Sequence, residues 1–201
     1  MKDSYQTIAV PVQETLFKEK GSKFFGYAFP LMHEEEVKSL IDSLKKQHPT
    51  AGHFCYAYQL GATSIHYRVA DDGEPKNSAG MPIYGQLQAF DLTNVLVVVV
   101  RYFGGTKLGV GGLIQAYKTS AQITLAAAAV VARTIDLIYE LSFGYEEMNK
   151  VMRIIKEKNV KVLEQELGAR CVYRIAVRKQ AAEELYQRFV HLYKVTIKEM
   201  D

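Results

Sequence analysis

The run Val95-Leu96-Val97-Val98-Val99-Val100 constrains the fold more than any other segment. Unbroken apolar side chains, most of them β-branched, leave no face for water, so the segment reads as a strand buried on both faces. It leads through Arg101-Tyr102-Phe103 into a loop with glycine at 104, 105, 109, 111 and 112 and a lysine at 107. Glycine has no Cβ and tolerates positive φ, so such a loop can bring bare backbone N–H groups close to a ligand. A small-residue helix follows, from about Val110 to Ala128, and its positive N-terminal end belongs beside the loop. This arrangement points to an anion site, most naturally for phosphate. The bland alternative is that the glycines only let the loop turn and the helix pack closely.

Two known phosphate loops are excluded. A Walker A loop requires Lys-Ser/Thr after its second glycine, but Gly109 is followed by Val110-Gly111. The dinucleotide fingerprint finds Gly109 and Gly111 but has Ile114 in place of its third glycine. Its acidic partner, about 20 residues on, is also missing, because Ala127 to Arg133 contains no carboxylate.

Charge is distributed unevenly. The net formal charge is only +3, yet Lys76, Arg101, Lys107, Lys118 and Arg133 face one anion, Asp91, across residues 76–133. That local basicity suits a phosphate backbone. No apolar run reaches membrane-spanning length, and the N-terminus lacks the apolar core of a signal peptide. Cys55 and Cys171 fit no metal or redox spacing and read as buried free thiols of a cytoplasmic protein.

Alternation predicts a first strand at Ile8, Val10 and Val12 and a second at Phe25 to Leu31, with a turn at Gly21. An amphipathic helix follows at Val37–Leu44, then strands at Phe54–Leu60 and Ile65–Val69. Asp71-Asp72-Gly73-Glu74-Pro75 reads as a turn, and a short helix runs from Ser78 or Ala79 to about Phe90. The first region is therefore β-β-α-β-β-α-β-α. From Ile135 the order β-α-β-β-α-β is the ferredoxin-like pattern. The boundary near residues 130–136 divides the chain into domains 1–133 and 134–201 of an α+β protein.

Gly73-Glu74-Pro75, Ser78-Ala79-Gly80-Met81-Pro82-Ile83 and the stretch from Val97 through Arg101-Tyr102-Phe103-Gly104-Gly105-Thr106-Lys107-Leu108-Gly109 closely resemble the Impact/YigZ family. Gly111-Gly112-Leu113, Ala116-Tyr117 and His53-Phe54-Cys55-Tyr56-Ala57-Tyr58 extend the resemblance, while Lys76-Asn77-Ser78 departs from a smaller Gly-Thr-type turn. The resemblance implies a bacterial two-domain member. Its N-terminal domain would be similar to the second domain of ribosomal protein S5 and to domain IV of elongation factor G. Its C-terminal domain would resemble domain V of that factor. Eukaryotic relatives act in translational control.

The functional expectation is a non-enzymatic protein that binds RNA or the ribosome without a cofactor. Arg101 and Lys107 would contact phosphates, amides around Gly104, Gly105, Gly109, Gly111 and Gly112 would donate, and Lys76 and Lys118 would be outer contacts. An enzyme is the competing class, with Asp71, Asp72 and Glu74 holding Mg²⁺ against a substrate phosphate. No catalytic triad or paired metal-ligand motif accompanies them. A module for a protein partner in translational control is the third reading. The oligomeric state is left open.

Overall fold

The computed structural model describes residues 3–200, and its chain divides into two compact units. One runs from Tyr5 to Arg133, and the other takes in residues 3–4 and 134–200.

The first unit is built on a five-stranded sheet. Its strands are β2 (Val12–Glu19), β3 (Ser22–Pro30), β4 (His53–Leu60), β5 (His66–Ala70) and β6 (Val95–Tyr102). They lie in the order β2-β3-β6-β4-β5, with every neighbour antiparallel. The apolar run is thus the central strand. Its even residues, Leu96, Val98 and Val100, pack with Val37, Ile41 and Leu44 of helix α1 (Glu36–Gln47). Val95, Val97 and Val99 point the other way, toward helices α2 (Gly80–Ala89) and α3 (Gly109–Ala126). A helical layer on each face explains why β6 shows no polar alternation. Helix α1 is anchored by Glu36, whose Oε1 accepts the Met32 and His33 N–H groups at 3.1 and 2.8 Å.

The edges of this unit differ from the sequence expectation. The first strand is two: β1 (Ser4–Ile8) stops at a bend, and β2 starts after Pro11, which has no N–H for a ladder. A further strand, β7 (Val130–Thr134), pairs with β1 in a two-stranded ribbon. Strands β2 and β3 turn through Lys20 and Gly21, both at positive φ (45° and 79°), as a two-residue hairpin requires.

The second unit contains β8 (Asp136–Gly144), α4 (Met148–Glu157), β9 (Lys161–Glu166), β10 (Arg170–Arg178), α5 (Lys179–Val190) and β11 (Val195–Met200). Its antiparallel order β11-β8-β10-β9 is that of the split βαβ unit. Val151 and Ile155 of α4 and Leu185 and Phe189 of α5 share a core with Leu141, Phe143, Cys171 and Ile175. Elsewhere on the sheet Arg174 bridges Glu140 and Glu164. Among the described residues no helix is long and apolar enough to cross a membrane.

Candidate functional site

At the end of β6 the chain turns polar on the α3 side. Arg101 follows Val99 on that face and lies directly across the ladder from His53 of β4. Its side chain is only 6% exposed, and its Nη1 donates to Glu74 Oε1 at 2.6 Å. Glu74 comes from the Asp-Asp-Gly-Glu-Pro turn and also accepts the Tyr117 hydroxyl at 2.7 Å. His53 Nδ1 donates to the Asp72 carbonyl, and its Nε2 stands 3.9 Å from Glu74. A buried charge pair of this kind is sustained by its geometry and added hydrogen bonds, which here come from Tyr117 and, at 3.4 Å, Ser22.

The remaining carboxylates of the turn are engaged in building it. Asp71 accepts the N–H groups of Asn77, Ala79 and Gly80 at 2.8–3.0 Å, and so holds the start of α2. Asp72 accepts the Phe54 N–H at 2.7 Å. With Glu74 held by Arg101 and Tyr117, all three acids have protein donors as partners. Among the described residues no group of three or more His, Cys, Asp or Glu side chains could hold a metal ion. Cys55 lies 3.0 Å from the Asp71 carbonyl and 3.3 Å from the Tyr117 hydroxyl. Burial pushes both the thiol and the phenol well above their ordinary pKa values, so Cys55 stays a protonated core group and not a nucleophile.

The glycine loop is anchored on one side and bare on the other. Gly104 donates its N–H to Ser22 Oγ at 3.2 Å. A Cβ on Gly104 would stand 1.9 Å from the Gly21 carbonyl carbon, so the hairpin tip admits only glycine there. At Gly105, Gly109 and Gly111 a Cβ would meet nothing within 4 Å. Gly105 and Gly109 still need glycine for their positive φ of 85° and 71°. Gly111 has neither constraint. Gly112 is intermediate, its Cβ position lying 3.0 Å from Leu108 Cβ. Helix α3 begins here with no acidic residue in its first turn and no side-chain cap hydrogen bond at Leu108.

The residues expected to form one site therefore separate into two groups. Lys107 is exposed beside the open helix end, and Lys76 and Lys118 are exposed as well. Arg101, expected to contact phosphate, is a buried residue ion-paired with Glu74, because its strand places it under α3. It is joined there to Glu74 of the 71–75 turn. Ser22, Cys55 and Tyr117 complete the buried cluster and were not anticipated as partners. Tyr117 had a signal: it lies four residues after Leu113, on the helix face that meets the sheet.

Comparison with known proteins agrees on the first unit. The Impact N-terminal domain family matches residues 20–125, from the hairpin tip to the end of α3. The IMPACT family member YvyE of Bacillus subtilis is 36% identical over 157 residues, 78% of this chain and 72% of its own length. YigZ of Escherichia coli is 30% identical over 87% of this chain and 86% of its own. A crystal structure of a hypothetical protein superposes at a TM-score of 0.78 with 26% identity, covering 100% of this chain and 99% of the other. The chain belongs to the IMPACT family.

Proposed function

We propose that this protein is a cytoplasmic, non-enzymatic RNA-binding protein of the translation apparatus, and that it meets phosphate groups at the glycine loop and the first turn of α3. One observation carries the reading: the backbone from Gly105 to Gly111 is unobstructed at 105, 109 and 111, and it ends in an uncapped helix start. Bare N–H groups at a positive helix end favour an anion. Lys107 adds an exposed charge at the loop, Lys76 and Lys118 are exposed on the same unit, and none of the three makes an ion pair with another described residue. The role in translation follows the resemblance to family members that act in translational control, and the likeness to ribosomal protein S5 and elongation factor G belongs to the same proposal.

The test is the salt dependence of binding to a ribosomal RNA fragment, followed by fluorescence anisotropy. Each phosphate contact contributes about −0.7 to the log–log slope on single strands and about −0.9 on B-form duplex DNA. Lys107→Ala should lower affinity and flatten the slope by roughly one such contact. Unchanged affinity and slope would remove the loop from the RNA interface. A protein partner is the second reading, favoured by the exposed apolar side chains of Phe103, Val110 and Ile114 beside the loop. It would be supported by salt-insensitive capture of a protein that Val110→Asp abolishes.

A further inference from the structure

A cavity of about 310 Å³ opens beside the glycine loop. Pro75, Phe103, Leu108, Val110 and Leu113 make its apolar walls, with Glu74 and Arg101 on the inner side and Lys107 at the loop. We propose that this cavity receives one unpaired RNA nucleotide, its phosphate on Lys107 and the first N–H groups of α3, its base against Phe103. The proposal rests on the RNA-binding reading and narrows it to single strands.

Four features converge on such a ligand. The volume lies at the small end of ligand sites, room for a single nucleotide and no more. Phosphate is matched by an 18-residue helix whose first turn carries neither acid nor cap. Phe103 is 57% exposed, yet the Arg101 guanidinium sits 5.7 Å from its ring centroid and steadies it. An aromatic face held open in this way is the stacking surface that single-stranded nucleic acid uses. Finally, Arg101 lines the cavity with a side chain 94% buried, and its Nε–H has no acceptor. That Nε is closed off from solvent, so the Arg101–Glu74 pair gives the cavity a fixed inner wall and leaves the ligand to Lys107, the helix end and Phe103. A duplex does not fit, because its bases are stacked and paired and only an unstacked base can enter a pocket.

The experiment compares a labelled oligouridine with a blunt-ended RNA duplex of equal length, using the full chain at one salt concentration. Wild type should prefer the oligouridine at least tenfold. Phe103→Ala should weaken oligouridine binding about 5- to 150-fold, the range of one lost base stack, and leave duplex binding unchanged. Phe103→Tyr should restore the preference. Because Phe103 is mostly exposed, matched circular dichroism melts are expected for all three proteins. Equal affinity for both RNAs, or no effect of Phe103→Ala, would overturn the nucleotide pocket while leaving RNA binding intact. Failure of wild type to bind either RNA would overturn both, and so separates the two failures.

Discussion

Glu74 holds the site together through one carboxylate oxygen that takes both the Arg101 guanidinium and the Tyr117 hydroxyl. Removing it strands a buried positive charge, which typically costs 3–5 kcal/mol. Glu74→Ala should therefore lower the unfolding free energy measured by urea titration by about that amount, whereas exposed Lys107→Ala should leave it unchanged. A stability loss below about 1 kcal/mol would show that Arg101 finds water or another acceptor. A second buried group, His48, gives the stability a pH dependence. Its Nε2 lies 2.6 Å from the Tyr27 hydroxyl, which donates to Glu14, and its Nδ1 lies 3.0 Å from the Tyr102 hydroxyl. If Tyr27 donates to Glu14, it accepts from Nε2–H, which leaves Nδ1 to accept from Tyr102. Burial lowers the His48 pKa below its ordinary 6.5, against a smaller opposing pull from Glu14. The unfolded chain then binds the proton first, so stability falls as pH drops below about 6.5 and levels off once the folded state also protonates. Denaturant midpoints of His48→Gln across pH 5–8 should lose that component. None of these pairings is written locally: Glu74 and Arg101 are 27 residues apart, and their meeting depends on the β4–β6 register. What the local pattern did carry was the turn at Asp71 to Pro75, because aspartates that accept backbone N–H groups are what turns use.

Helix α3 serves core and surface with different residues. Leu113, Ala116, Tyr117, Ala121 and Leu125 face the sheet, and Thr124 Oγ1 reaches Thr15 Oγ1 at 2.7 Å. Gly111, Ile114 and Lys118 lie on the outward side. Gly111 and Lys118 are seven residues apart, about 10 Å along the axis, so in the proposed interface Lys118 would meet a different phosphate from the helix end. Two glycine substitutions separate packing from function at this element. Gly104→Ala forces a methyl into the hairpin tip and should destabilise by roughly 1–3 kcal/mol. Gly111→Ala meets open space in helical backbone and should stabilise by roughly 0.4–1 kcal/mol while weakening RNA binding. Thermal melts and anisotropy on the same samples check both, and tighter or unchanged RNA binding by Gly111→Ala would argue against close backbone approach. The helix and the buried strand before it were readable because their periods are strong. Strand β7 was not, since four of its five residues are exposed and Val130-Val131 continue a run of alanines. The break between β1 and β2 was hidden by the alternation of Ile8, Val10 and Val12, which crosses Pro11 without a change of pattern.

At the scale of the whole chain, the loop, its lysines and the buried cluster all belong to the unit Tyr5–Arg133. The second unit adds a split βαβ sheet whose described ion pairs, such as Arg174 with Glu140 and Glu164, neutralise one another. The proposed attraction to RNA therefore rests on the first unit. Arg101→Ala is a poor probe of that attraction, because it would leave Glu74 buried without its cation. Lys107 and Lys118 are exposed and can be removed without touching the core. The most direct measurement is co-sedimentation of wild type and Lys107→Ala/Lys118→Ala with purified ribosomes over a salt series. Wild type should pellet with ribosomes at near-physiological salt and the double variant should remain in the supernatant, with equal melting temperatures for the two proteins. Equal pelleting of both at every salt concentration would contradict the account and return the glycine loop to a purely structural role.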